Sequence, residues 1–276
     1  MKTKLALLSG LLCASLLLLG AGSMDMSTQT GTVRGLGGEA PLGAYQALLV
    51  QYATANTVTV AADALALADA DGYARVVRNI SLTLDISAAV GVNGPDASGL
   101  DSASAWRSIW VICKNDGTTV AGLLSASTAS PTLPATYTFK RRVGWVRNNG
   151  TSTFLDFVQQ GTFCMNGEIL ILSNGAATSN TNVDVTAFVP TTTRMVMLGV
   201  QSGGSASGAQ TSAAYFVRPG TSWTTGSLYF TLDSPAATPT VYVPIQVLTD
   251  GTNITYRNAD TSDRTSLYTN GYYDDF

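Results

Sequence analysis

Short runs in which apolar and polar residues alternate fill the chain from Leu48 onward. Segments 57–67 and 75–86 are clear examples, because apolar residues occupy alternate positions through most of both. A period of two places apolar side chains on one face of a β-strand and polar side chains on the other. Both segments are therefore predicted to be half-buried strands.

Turn dipeptides separate the predicted strands. Two hairpins are expected, one over 106–124 around Asn115-Asp-Gly117 and one over 137–158 around Asn148-Asn-Gly150. Further strands are predicted from the same alternation at 168–172, 183–189, 194–200, 213–218, 227–232, 241–248, 253–257 and 266–273.

Many short strands with turns between them, and scarcely any helical period, predict an all-β protein. We expect a β-sandwich or jelly-roll-like arrangement of antiparallel sheets. Segment 42–52 alone has helical spacing, and a strand is favoured for its second half. The β region covers residues 47–276, either as one large domain or as two lobes that meet near 175–185.

The first 46 residues have a different composition. Residues 1–23 begin with Met-Lys-Thr-Lys, continue with an apolar run and end in Ala-Gly-Ser, which matches a secretory signal. Residues 24–46 are rich in Gly, Thr and Ser and are predicted to form a flexible arm. A retained anchor is one alternative, and a true start at Met24 or Met26 is another. A genuine signal predicts export to the cell surface or the medium.

Charge is scarce and slightly negative. Charged residues make up 12% of the chain, against about 25% in an ordinary domain, and the formal net charge is −3. A mildly acidic chain has no general attraction to phosphate backbones, so nucleic-acid binding is not expected.

The chain contains no histidine. This absence excludes Ser–His and Cys–His nucleophile pairs, imidazole acid–base catalysis and every metal site that needs a histidine ligand. Glu39 and Glu168 are the only glutamates, and nothing marks a catalytic carboxylate pair. We therefore expect a protein without catalytic activity, cofactor or metal.

Two cysteines lie in predicted strands, Cys113 and Cys164. They form a disulfide in an oxidising compartment or remain two buried thiols, and the sequence leaves both alternatives open.

One basic cluster stands out, Lys140-Arg-Arg142. Strand alternation places Lys140 and Arg142 on one face and Arg141 on the other. Pairing with Asp156 or Glu168 and contact with a neighbouring subunit are two interpretations. A solvated strand edge that discourages aggregation is the favoured one.

Aromatic residues are frequent near the end of the sequence. Trp223, Tyr268, Tyr272 and Tyr273, with Tyr229, are candidates for a patch that stacks on a sugar or contacts a subunit. Alternating core aromatics are the favoured alternative.

Six stretches of the chain are distinctive in combination. They are Thr57-Val-Thr-Val-Ala-Ala-Asp-Ala-Leu65, Ser104-Ala-Trp-Arg-Ser-Ile-Trp-Val-Ile112, Val120-Ala-Gly-Leu-Leu-Ser125, Ser130-Pro-Thr-Leu-Pro-Ala-Thr-Tyr-Thr-Phe-Lys-Arg-Arg-Val-Gly-Trp-Val-Arg147, Phe188-Val-Pro-Thr-Thr-Thr-Arg194 and Asn270-Gly-Tyr-Tyr273. Together they resemble a group of uncharacterised proteins of tailed bacteriophages and prophages, which are described as tail, tail-fibre or virion structural proteins. The resemblance spans about residues 55–276 and implies a β-sandwich virion component without known activity.

Three functional hypotheses follow. The first is a non-enzymatic virion structural protein, in a tail, tail-fibre or capsid-decorating role, that forms homo-oligomers and contacts other virion proteins. The second is an exported bacterial surface, filament or adhesin protein, for which a cell-surface glycan is a candidate partner. The third is a secreted carbohydrate-active β-protein.

Overall fold

A computed structural model describes residues 44–102, 104–150, 153–204, 210–221, 228–234 and 241–276, which belong to one compact unit. The signal-like segment 1–23, the arm up to residue 43 and Trp223 lie outside these ranges. Within them every regular element is a strand, as predicted. No long apolar helix that could cross a membrane is found in the described ranges.

The strands are numbered in chain order. They are β1 (Tyr45–Gln46), β2 (Leu49–Thr54), β3 (Thr57–Ala68), β4 (Ala74–Asp85), β5 (Ser104–Lys114), β6 (Val120–Ser125), β7 (Tyr137–Asn149), β8 (Phe157–Gln160), β9 (Phe163–Gly175), β10 (Thr181–Asp184), β11 (Thr193–Gly204), β12 (Gln210–Val217), β13 (Leu228–Ser234), β14 (Val241–Leu248), β15 (Asn253–Asn258) and β16 (Asp263–Asp274).

Two antiparallel sheets contain all of these strands. The larger sheet has the order β14-β11-β16-β9-β8-β2-β3-β7-β5-β6, and β1 and β4 also pair with β3. The smaller sheet has the order β10-β15-β12-β13. Strands that are distant in sequence, such as β8 and β2, therefore become neighbours.

The smaller sheet packs on one face of the β9, β16, β11 and β14 part of the larger sheet. Leu198 and Leu267 of the larger sheet are buried in the same cluster as Phe216 and Ile254 of the smaller one. Alternation explains this core, because every second residue of β11 and β16 points to the covered face. This half of the protein is a sandwich with one face of its larger sheet left outside.

In the other half, β4 packs closely against β6. Leu84 of β4 is fully buried and lies directly over Gly122 of β6, where no side chain intervenes. The predicted hairpin around Asn115-Asp-Gly117 is confirmed, since β5 and β6 pair antiparallel and Gly117 has a φ of 76°.

The second predicted hairpin is confirmed next to its turn and wrong beyond it. Asn148 and Phe154 form an antiparallel bridge, and the amides of Asn149 and Leu155 donate to the carbonyls of Thr153 and Arg147. β8 then pairs with β2 and β9 and not with β7. β8 is linked to β7 by a side chain, that of the buried Gln159. Its Nε2 donates to the carbonyl of Val143 at 2.7 Å, and its side chain packs over Gly144.

Candidate functional site

The basic cluster on β7 does not form a solvated edge. β7 pairs with β5 along its length and with β3 through Ala68 and Lys140. Arg142 pairs with Asp274, and neither Asp156 nor Glu168 is its partner. The ammonium of Lys140 lies 5.8 Å from the centre of the Trp110 ring. The favoured interpretation of this cluster was therefore wrong, because β7 lies inside the sheet.

Arg141 and Arg142 instead hold the residues that follow β16. Arg141 donates to the carbonyl oxygens of Ala44, Ala66 and Phe276, and Arg142 donates to those of Thr128 and Asp275. Burial lowers the pKa of both guanidinium groups. These two arginines, on opposite faces of β7, thus link parts of the fold through their Nη donors, while Nε of each is buried without a partner among the described residues.

The three C-terminal tyrosines divide between the two faces of β16. Simple alternation would place Tyr268 and Tyr272 together, but the pairing register shifts at Asn270. Such a bulge inserts one extra residue and reverses the faces that follow it. Tyr272 is consequently buried, with its ring edge-on to Trp106 at 5.9 Å, while Tyr268 and Tyr273 share the outside.

The outside of the β8, β9, β16, β11 and β14 part of the sheet, which we call the outer face, is apolar and aromatic. Three rows of cross-strand neighbours form it. Its apolar members, all exposed or half-buried, are Val158, Phe163, Met165, Leu170, Met195, Met197, Leu248, Tyr268 and Tyr273.

The two tyrosines of the outer face are held along the sheet. The Tyr268 hydroxyl donates to Oε1 of Gln201 at 2.9 Å, and the Tyr273 hydroxyl accepts from Nε2 of Gln246 at 3.3 Å. The Tyr273 ring also packs on Phe163, with 4.8 Å between ring centroids. The aromatic part of this surface is therefore ordered in advance of any contact.

Tyr268 and Tyr273 were among the candidates for a patch, with Tyr272, although core aromatics were the favoured alternative. The aliphatic members of the outer face were not predicted. Phe163-Cys-Met165 places apolar residues at three consecutive positions, and Ile169 to Leu172 are also consecutive. Consecutive apolar residues in a strand give apolar side chains to both of its faces, here the covered face and the outer face. These two apolar runs were the sequence signal for the aliphatic part of the outer face.

Cys113 and Cys164 are buried free thiols, which is the second of the two alternatives left open by the sequence. Cys113 lies on β5 and Cys164 on β9, within the core. Burial raises the pKa of Cys164 to about 12 and also raises that of Cys113. Neither thiol is ionised near neutral pH, and a thiolate nucleophile is accordingly not available at these positions.

A pocket lies between β5 and β7 on one side and β8, β9 and β16 on the other, with a volume of about 210 Å³. Trp106, Trp145, Phe157 and Tyr272 line its interior. Across the described ranges, no group of three or more Cys, Asp or Glu side chains is placed to hold a metal ion.

Comparison with known proteins gives no relative: no protein-family model matches the chain, and no curated protein matches it.

Proposed function

We propose that this chain is a non-enzymatic structural protein that works in many copies, as a tail, tail-fibre or capsid-decorating component of a virion. The outer face carries this proposal, and its occupant is a second copy of the same chain. The largest exposed apolar patch of a protein chain, about 300–600 Å² in an ordinary monomer, is often a functional surface.

The composition of the outer face favours self-association. The three rows across β8, β9, β16, β11 and β14 contain no charged residue. An uncharged surface does not need a partner of opposite charge. The same patch on a second copy is therefore a suitable partner in a two-fold contact. Tyrosine and methionine are also the residue types enriched in such contacts.

The size of the outer face favours a large assembly over an isolated dimer. Five strands about 4.8 Å apart, with three rows of side chains, give a patch of about 400 Å². Stable pairwise interfaces bury about 800 Å² on each partner. The contact between two isolated copies is thus expected to be weak, with partial association at about 0.1 mM, and to become firm where further contacts in an assembly add to it.

The alternative is an exported bacterial surface or filament protein. The signal-like residues 1–23 favour it, and the outer face would serve the same self-association there. The two hypotheses differ in location, and a fractionation experiment separates them.

Met165→Lys tests the self-association. Met165 exposes 54% of its surface on the outer face, and Val76 exposes the same fraction on β4, away from it. We expect Met165→Lys to lower the average mass in light scattering at concentrations of about 0.1 mM, whereas Val76→Lys leaves it unchanged. A wild-type protein that stays monomeric, or equal effects of both variants, would contradict the proposal.

Location is tested on protein from its natural source. Purified particles and cell-envelope fractions are compared by intact mass and N-terminal sequencing. Recovery in particles supports the virion assignment. Recovery only in the envelope or medium, with a chain that starts near Met24, supports the alternative.

A further inference from the structure

All methionines of the described ranges lie on the outer face. They are Met165 of β9 and Met195 and Met197 of β11, while the other three methionines of the chain precede residue 44. None of these three side chains belongs to the buried core. Methionine is among the residue types most often buried, where it fills irregular gaps. Its confinement to one exposed surface therefore points to a property of that surface.

Met165 and Met197 are neighbours across Gly271 of β16. Gly271 pairs with Met165 on one side and with Met197 on the other, so no side chain of β16 stands between the two thioethers. Met195 lies in the next row, opposite Tyr273. Met165 is exposed and the two methionines of β11 are half-buried. Solvent therefore reaches all three residues in an isolated copy.

An exposed thioether is a target of peroxides. In this reaction the sulfur atom is oxidised to a sulfoxide by gaining one oxygen atom, the O–O bond of hydrogen peroxide breaks, and the peroxide is reduced to water. The two thiols that would compete for the oxidant in the described ranges, Cys113 and Cys164, are buried. Oxidation by peroxide is accordingly expected at the outer face and not in the core.

We propose that Met165, Met195 and Met197 form a reversible oxidation site that controls self-association through the outer face. The inference rests on the proposed function, because it assigns a means of regulation to the same surface. A sulfoxide is polar, and its transfer from water to a largely apolar contact costs free energy. Oxidation thereby favours separate copies. A dithiol reverses the change, since it is oxidised to a disulfide while the sulfoxide oxygen leaves as water.

Self-association should in turn protect the three thioethers. A contact between two outer faces covers Met165, so that only separate copies expose it to peroxide. We expect Met165 to be oxidised about twofold more slowly at about 0.1 mM protein, where association is partial, than at about 1 μM, where copies are separate. Peptide mass spectrometry after brief exposure to hydrogen peroxide measures the two rates.

Complete oxidation of the full chain provides the main test, in a Cys13→Ser background that removes the remaining cysteine. We expect hydrogen peroxide to add one oxygen atom to each of the three methionines, with Met165 first. The dissociation constant should rise by about tenfold or more, which light scattering at about 0.1 mM detects as a fall of the average mass toward that of a monomer. Treatment with methionine sulfoxide reductases for both sulfoxide epimers, together with a dithiol, should restore the association.

The matched control carries Met165→Leu, Met195→Leu and Met197→Leu. Leucine keeps the volume and the apolar surface of methionine but has no sulfur atom, so this variant should associate before peroxide and remain associated after it. It also retains the three methionines that precede residue 44, and therefore controls for their oxidation.

The outcomes separate this inference from the proposed function. An associating wild type whose average mass is unchanged after complete oxidation would overturn the inference alone. A triple variant that peroxide dissociates as it does the wild type would also overturn it. A wild type that is monomeric before any peroxide is added would overturn the proposed function, and this inference with it.

Discussion

Arg142 and Asp274 form an ion pair inside the protein, with 3.3 Å between Nη2 and Oδ2 and side chains that are 10% and 2% exposed. Nε1 of Trp145 donates to the same carboxylate oxygen at 2.9 Å. The guanidinium and the indole both donate to Oδ2 and compensate the buried charge there, whereas Oδ1 has no partner among the described residues. The pair joins β7 to the end of β16, which are distant in sequence.

Replacing Arg142 by an uncharged residue should destabilise the folded protein. We expect Arg142→Met to lower the free energy of unfolding by about 3–5 kcal/mol in urea denaturation, since Asp274 would remain buried without its cation. The matched control is Arg194→Met, because Arg194 and Asp275 form a pair whose side chains are 73% and 75% exposed. That variant should lose less than about 1 kcal/mol. Similar losses in both variants would contradict this account of the buried pair.

Asp274 also makes the free energy of unfolding depend on pH, in a direction that follows from its pKa shift. Burial raises the pKa of Asp274 above its ordinary value of 3.8, although Thr192, Arg142 and Trp145 oppose the shift. Above pH 3.8 the unfolded chain loses this proton while the folded chain keeps it, so stability falls as the pH rises. We therefore expect the unfolding free energy of the wild type, minus that of Asp274→Asn, to decrease from about pH 3.5 upward. Urea titrations at several pH values measure it, and a constant or rising difference would refute it.

Gly122 should not accept even a methyl group. A Cβ at this position would lie 2.6 and 2.7 Å from Cδ1 and Cδ2 of the buried Leu84. We expect Gly122→Ala to cost about 1–3 kcal/mol of unfolding free energy in urea denaturation. Gly167→Ala is the control, because a Cβ there meets nothing within 4 Å. Adding Leu84→Ala should make the two substitutions less than additive, and strict additivity would argue against the contact.

The two core cysteines should be unreactive in the folded state. With Cys13→Ser as background, we expect iodoacetamide at pH 8 to label neither Cys113 nor Cys164 until denaturant is added. Two labels per chain should then appear in the intact mass, without any reductant. Labelling of the native protein, or a requirement for reductant, would show that the thiols are accessible or paired.

Local patterns were sufficient for the fold class and for one hairpin. Alternation identified β3 and β4, and Asn115-Asp-Gly117 identified the turn between β5 and β6. The same reasoning failed beyond Asn148-Asn-Gly150, because β8 pairs with β2, which is far away in sequence, and with β9, which follows it directly. Turn residues specify a local bend, but they do not determine which strand lies alongside the chain after it.

The candidate surface was only partly predictable, for a similar reason. Tyr268 and Tyr273 were recognisable as aromatic residues, yet their common face depends on the bulge at Asn270. A bulge is set by the pairing of β16 with both neighbours, and alternation along one strand does not contain it.

Pro244 limits how further strands can pair with the larger sheet. It lies on β14, the strand at one end of the larger sheet, opposite Gly199 of β11. A proline has no backbone N–H to offer an incoming strand, and at a sheet margin it discourages addition of further strands. If copies meet through their outer faces as we propose, Pro244 works against a second mode of association, in which β14 strands pair edge to edge.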